Sequence, residues 1–501
     1  MPEGDDATVF LDGGQELKID IASCQEFGDR SVYWTFDRSA LVVFGPPGTS
    51  ATCGGWEEAI RWAVELCPGR SCQANAEYWR DAFSWPSALV RHVRLGIGFV
   101  VRALPANFFF HEGILRGKEK YGGWFNSIDR KTGRAMRYSW IDESERGALG
   151  GYIAAMAMLA RCVERMHATG LAHADLCEHN VLLDPTLGLC LLKVDPSMMV
   201  ASRLGNSRVL GTPGYIAPEV MATKRLPMQD PARKHPSAET DKYALAVMLY
   251  KYLLERHPLE GGRVLVGMSA EEEDEALHGA KALYSEHRTD ASNRPKGRYL
   301  PASILGKKID DLFHKTFVDG LLHPMSRPTP GTWVTALCEA FDMLLACPNQ
   351  SCSHRLFVLT GSGRPTCPYC ATPYRGTFSR LRLSHEERGF VRNEGELILN
   401  GYRGGTGTVL YRFHTHRGAT RGPGQDSSPM AQVVFLEQPA PTFYLQNVAL
   451  PGMQVRNPRA GLTNFQPLPL GAKLQLTSGL EVQFGNEPEA RRGAVEASYF
   501  P

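Results

Sequence analysis

One run constrains this chain more than any other: His173-Ala-Asp175-Leu-Cys177-Glu-His-Asn180-Val-Leu-Leu-Asp184. It follows a stretch from Gly150 to Met166 that reads as a buried helix, and it enters a short apolar strand at Val181. An Asp five residues before an Asn, in a loop between helix and strand, has a defined chemistry. The Asp accepts or orients a hydroxyl proton, and the Asn carbonyl binds a metal beside nucleotide phosphates. A second apolar strand, Leu191-Leu-Lys-Val-Asp195, then ends on a carboxylate of the kind that holds magnesium.

These residues resemble the catalytic and metal-binding loops of protein kinases. Gly211-Thr212-Pro-Gly-Tyr-Ile-Ala-Pro218-Glu219 is similar to the end of a kinase activation segment. Asp241 resembles the buried Asp that braces the catalytic loop backbone, and Arg327 stands where the family places the ion-pair partner of Glu219. His173 reads as structural core. The resemblance implies a bilobal kinase-like fold in a multidomain α+β chain. It also implies ATP between the lobes near Leu104 to Asn107, and Mg2+ on Asn180 and Asp195. Asp175 would orient a serine or threonine hydroxyl of a protein substrate, and Thr212 would shape the peptide platform. The stretch from Trp85-Pro86 through Gly96 to Pro105 resembles a bacterial subfamily. Its members are associated with a metal-dependent protein phosphatase and a von Willebrand A-domain protein, so the resemblance implies those partners.

The nucleotide end departs from the pattern. Close backbone approach to phosphates needs glycines, and the segment Ser23 to Tyr33 keeps only Gly28. No lysine occurs between Lys18 and Lys118, although Ala40 to Phe44 reads as the strand that should carry one. Either the chain is a pseudokinase or a cation arrives from elsewhere, and Arg30, three residues before Tyr33, is the candidate, because one known kinase family carries its displaced lysine at the matching spot. Glu58 is taken as the partner carboxylate, ahead of Glu65 and Glu77. Asp195-Pro196-Ser197 stands for Asp-Phe-Gly, Ala174 for the usual arginine, and Cys177 for the lysine near the transferred phosphate. Two alternatives stay open: a catalytically silent scaffold, and AMP transfer from ATP at the same site.

Four units follow from pattern. Residues 1–110 read as a mostly β small lobe and 111–345 as a helical large lobe, with Asp241 to Leu254 apolar on all faces. Ile309 to Phe317 and Thr332 to Leu345 read as further helices. In residues 346–375, Cys347-Pro-Asn-Gln-Ser-Cys352 and Cys367-Pro-Tyr-Cys370 have the spacing of a structural zinc ribbon. Residues 376–501 read as an all-β sandwich of short strands punctuated by Gly and Pro. Its end, Gly471 through Phe484-Gly485, is similar to the last hairpin of forkhead-associated domains. That resemblance implies a phosphothreonine-peptide ligand, with Arg403 and Asn447 as candidates. The net charge of +2 argues against nucleic acid as the main partner. The acidic start and the absence of a long apolar run read as a cytoplasmic chain without a signal peptide or membrane span.

Overall fold

The computed structural model describes residues 8–27, 30–45, 54–67, 76–126, 136–196, 200–201, 211–227, 229–263, 268–400, 406–422, 428–436 and 442–501. Two compact units emerge. The first comprises residues 1–146, 159–298 and 313–330; the second comprises 147–158, 299–312 and 331–501.

In the first unit, alternating side chains close a barrel. Thr8–Leu11, Glu16–Phe27, Arg30–Thr35 and Ala40–Phe44 pair in sequence, Gly96–Arg102 and Ala88–His92 follow, and Ala88–His92 returns to Thr8–Leu11. Val9, Ile19, Tyr33, Val42 and Val90 fill the interior. On the outer face Leu41, Val43 and Phe99 pack against Ile60, Trp56 and Val64 of the helix Gly54–Glu65. The strand Ala40–Phe44 is therefore apolar on both faces, which is the physical reason it carries no lysine. A side chain at Gly98 would collide with the Val43 carbonyl oxygen, so the close strand approach there requires glycine. Gly96–Arg102 is the second arm of a hairpin begun by Ala88–His92.

The helix Ala238–Leu254 is buried along nearly its whole length, as its all-round apolar pattern implies. Its start is fixed by the Thr240 hydroxyl, which accepts the Ser237 N–H at 2.8 Å. Val181–Asp184 and Leu189–Lys193 form the hairpin that flanks the predicted catalytic residues. Phe83–Ser84 adds a parallel strand to it.

Two helix boundaries differ from the sequence reading. Ile309 to Phe317 is helical from Lys307 to His314 and then widens into a π turn, Lys315–Asp319. Thr332 to Leu345 ends as a helix at Asp342, and Leu344–Ala346 is a strand paired with Leu356–Val358. A short apolar run fits either periodicity, and here the cross-strand partner decided it.

In the second unit, six strands form one sheet of the sandwich in the order Phe390–Leu399, Gly376–Glu387, Arg492–Phe500, Glu481–Gln483, Gln454–Asn457, Leu462–Pro467. A second sheet orders Thr406–Tyr411, Pro429–Leu436, Thr442–Asn447 and Lys473–Gln475. Leu381, Leu397, Leu445, Val482 and Phe484 lie in the shared core. Among the described residues, no helix is long and apolar enough to cross a membrane.

Candidate active site

The catalytic loop is built on one buried carboxylate. Asp241 is 1% exposed; its Oδ2 accepts the His173 N–H at 2.6 Å and its Oδ1 accepts the Ala174 N–H at 3.0 Å. His167 Nε2 lies 3.0 Å from the same carboxylate. Two N–H donors held by one acceptor group fix the backbone through a strained point, because Ala174 adopts a positive φ of 70°. The His173 ring is tied by Nε2 to the Lys193 carbonyl at 2.8 Å, which joins the loop to the second strand.

That bracing aims Asp175. The Thr212 hydroxyl donates to its Oδ1 at 2.7 Å, and the Asn180 amide donates to its Oδ2 at 3.1 Å and to its carbonyl at 2.7 Å. With its nitrogen spent this way, Asn180 is left with its carbonyl oxygen as the free coordinating atom, which fits a magnesium ligand. Cys177 lies under the loop, 1% exposed, with its sulfur 3.6 Å from the Asn180 amide nitrogen. Burial, followed by the charge of Asp175, pushes its thiol up to about 11. It is a neutral packing group here, with no charge to offer a phosphate.

Arg30 reaches Asp195. Its guanidinium forms an ion pair with the Asp195 carboxylate, with both side chains partly shielded from solvent. Its flat face lies over Trp56, the guanidinium carbon 5.2 Å from the ring centroid. Arg30 begins the strand that pairs back on Phe27, so only two residues separate it from the preceding strand. Gly28 lies outside the described residues.

Glu58 does not join this group. It is exposed and forms no ion pair among the described residues. The helix phase explains it: Trp56 faces Arg30, and a residue two positions on points well around the helix. Glu57 turns instead to Arg61 at 2.9 Å and to Arg91 at 2.5 Å. Glu65 is exposed as well, and the side chain of Glu77 lies outside the described residues.

Leu104 packs with Phe108, Leu182 and Leu191. The Asn107 side-chain nitrogen is buried with no hydrogen-bond partner among the described residues. Below the loop, Arg327 grips Glu219 through two bonds of 2.7 Å, and also donates to the Gly320 and Glu239 carbonyls at 2.8 and 2.9 Å.

Three groups escaped the sequence reading. Lys120 is 2% exposed and pairs with Glu145 at 3.1 Å, beneath the cleft. Lys251 donates to the Tyr215 hydroxyl at 2.7 Å and pairs with Glu178 at 3.5 Å, anchoring the end of the activation segment. The third is Trp56, whose ring lies against the Arg30 guanidinium.

In the second unit, the ligand atoms of Cys347, Cys352, Cys367 and Cys370 lie within 4.8 Å of one another. Two of the sulfur separations are 3.5 Å (Cys347–Cys370) and 3.9 Å (Cys352–Cys367). A tetrahedral ion with metal–sulfur bonds of about 2.3 Å needs sulfurs roughly 3.8 Å apart, so the four thiols fit zinc. Around the cysteines, Leu356–Val358 forms a strand, and Pro373 makes a single bridge to Thr366. Asn447, a candidate peptide contact, is fully buried. Its amide donates to the Leu450 and Leu468 carbonyls, at 2.7 Å each, and its oxygen accepts the Leu450 N–H at 2.9 Å. It is a turn brace and cannot meet a ligand. Arg403 lies outside the described residues.

Residues 146–332 match the family model of the protein kinase domain. The chain is 26% identical over 227 residues to the phosphorylase b kinase gamma catalytic chain, liver/testis isoform, of Mus musculus, covering 44% of this chain and 53% of that one. It is 31% identical over 132 residues to serine/threonine-protein kinase PkaB of Streptomyces coelicolor, covering 24% of this chain and 29% of that one. The solved structure of vaccinia related kinase 3 aligns with a TM-score of 0.42 at 11% identity, covering 67% of this chain and 90% of that chain. The chain spans about half the length, or less, of these curated relatives. Residues 146–332 are thus similar to protein kinase domains.

Proposed function

We propose that this chain is an ATP- and magnesium-dependent serine/threonine protein kinase in which Arg30 supplies the cation that the strand Ala40–Phe44 lacks. The observations that support the reading are two pairs: Asn180 holds Asp175 within one loop, and Arg30 forms an ion pair with Asp195 just beyond the strand Leu189–Lys193, to which His173 ties that loop. Asn180 and Asp195 would hold magnesium, which when bound would offset the charge of the phosphates. Asp175, fixed by Thr212 and Asn180, keeps a second lone pair on each oxygen and takes the proton of the attacking hydroxyl. The hydroxyl oxygen bonds to the γ-phosphorus, the β–γ bridging bond breaks, and ADP leaves. Arg30 is always charged and forks toward oxyanions, so it exchanges Asp195 for phosphate when nucleotide enters. Glu58 has no part in this site.

The reading extends to the rest of the chain. The four cysteines hold a structural zinc, and residues 1–110, 111–345, 346–375 and 376–501 remain the proposed functional divisions. The cytoplasmic setting and the phosphatase and von Willebrand A-domain partners rest on the family resemblance alone.

The test uses purified full chain with magnesium, a generic protein substrate, and ATP labelled at either the γ- or the α-phosphate. Transfer of γ-label that is lost in Asp195→Ala is the expected result. Arg30→Met should lower kcat/KM by about 100-fold or more, the scale of one lost charged donor. Transfer of α-label would replace phosphorylation with nucleotidyl transfer. ATP binding without any transfer would make the chain a scaffold and overturn the reading.

A further inference from the structure

The ribbon carries more than its own fold. Its knuckles are held by backbone bonds: Cys347 N–H to the Arg355 carbonyl at 2.8 Å, and Ala371 N–H to the Cys367 carbonyl at 2.8 Å. Arg355 and Ala371 both take left-handed backbone, with φ of 57° and 60°. Non-glycine residues pay for that conformation, so two of them beside one thiol cluster need something to hold the turns. The ribbon's own apolar content is small. Three of its cysteines share a core with Leu345, Phe357 and Leu359, and this core extends into the sandwich through Phe378 and Ile398.

The same ribbon seats the start of the helix Leu149–Ala168. The Leu149 N–H, one of the donors a helix start leaves without a partner, reaches the His354 carbonyl at 3.3 Å. Gly150 lies flat against the ribbon strands: a side chain there would sit 3.1 Å from both Leu344 and Leu356. From the sandwich, the Asn400 amide donates to the Leu344 carbonyl at 2.6 Å. The strand pair Leu344–Ala346 and Leu356–Val358 thus has the helix start on one side and the sandwich on the other.

We propose that one zinc ion, bound by Cys347, Cys352, Cys367 and Cys370, holds the first turns of that helix, the ribbon strands and the first sandwich strand in a single core, so that losing the ion loosens all three. The proposal goes beyond the kinase reading and stands without it. Four thiolates close the coordination shell, so the ion has no catalytic position. Its binding energy becomes folding energy for the segments it organises.

The experiment uses the full chain under reducing conditions. Metal content is measured first, and cobalt(II) replaces zinc for an absorption spectrum. Hydrogen exchange is then followed in peptides covering residues 147–158, 344–347, 356–359 and 376–383, with 181–193 as reference. Zinc is present, then chelated, then restored. The expected result is one zinc per chain, a tetrahedral thiolate cobalt spectrum, and exchange rising about tenfold or more in all four segments on chelation. The reference should stay unchanged, and zinc should reverse the rise. Cys352→Ser should bind no zinc; if that variant does not fold, the chelation series on the unaltered chain still decides. A rise confined to 347–370 would overturn the brace while leaving the zinc site standing. A chain that neither retains nor rebinds zinc would overturn both, without touching the phosphotransfer result.

Discussion

Replacing Arg327 by Met is the sharpest test of how the large kinase segment is held together. The Arg327 side chain is fully shielded from solvent and Glu219 is 20% exposed. Four acceptors depend on the guanidinium: both Glu219 oxygens and the Gly320 and Glu239 carbonyls. Methionine fills much of the volume and supplies no donor. Breaking a buried ion pair from one side costs about 3–5 kcal/mol, since the remaining charge keeps its desolvation penalty. Because Glu219 is partly wet, the lower figure applies, and about 3 kcal/mol is a shift of roughly 150-fold in the unfolding equilibrium. With a urea slope of about 3 kcal/mol/M, the midpoint should fall by about 1 M. The assay is a urea titration followed by hydrogen exchange in peptides covering 238–254, inside the unit that holds the pair. Glu219→Leu combined with Arg327→Met should recover part of the loss, because no charge is then left alone. A midpoint drop below about 0.3 M, or losses that simply add in the double variant, would refute the reasoning.

Other outcomes follow from the same geometry. Asp241→Ala releases the His173 and Ala174 amides, so kcat should fall at least about tenfold while ATP affinity changes little; an unchanged kcat would mean the loop holds its shape without the brace. Cys177 is buried with its thiol pushed up to about 11, so iodoacetamide at pH 8 should label exposed Cys24 and spare Cys177 in peptide mass spectra; rapid labelling of Cys177 would contradict the packing. Near the activation segment, burial disfavours the charged form of His278, but Glu260 and Asp274 outweigh it and raise its pKa above 6.5, while His257 and Lys224 complete the surroundings. A raised histidine gives stability that is full below its unfolded pKa of about 6.5 and is lost as pH rises through the folded value. The stability difference between the native chain and His278→Gln should therefore shrink as pH rises past about 6.5; a flat difference would sink the assignment. Glu260, held down to about 2 chiefly by the His278 hydrogen bond, works the other way, its contribution fading as pH falls below 4.5.

Much of the centre was legible in order along the chain. Asp175, Asn180, Thr212, Glu219, Asp241 and Arg327 each stand at a motif; the resemblance implies the Asp241 brace and the Arg327–Glu219 pair, and the structure adds the bonds of Asp175 to Thr212 and Asn180. Motifs of this kind are local: a loop of fixed spacing and a strand ending on a carboxylate keep their meaning whatever surrounds them. Arg30 stood out in the sequence only as a candidate, the one cation of a glycine-poor loop in a stretch without lysine; its ion pair with Asp195 needed the fold. Glu58 was not legible, because choosing among helix carboxylates requires the rotation of the helix on the sheet. That rotation is set by Trp56, Ile60 and Val64 packing on Phe99, and it turned Trp56 to the cleft and Glu58 to solvent.

The sequence by itself determined the groups available: two carboxylates and an amide at kinase-like spacing, four paired thiols, and a chain of alternating apolar runs for sheets. Tertiary structure alone decided who meets whom. It closed the small lobe into a barrel by bringing Thr8–Leu11 against Ala88–His92. It made a strand of Leu344–Ala346 where the pattern read helix, because Leu356–Val358 offered the missing hydrogen bonds. It buried Asn447 in a turn where the sequence allowed a ligand contact. In each case the local pattern was compatible with two outcomes, and burial against a residue distant in sequence supplied the free energy that chose between them.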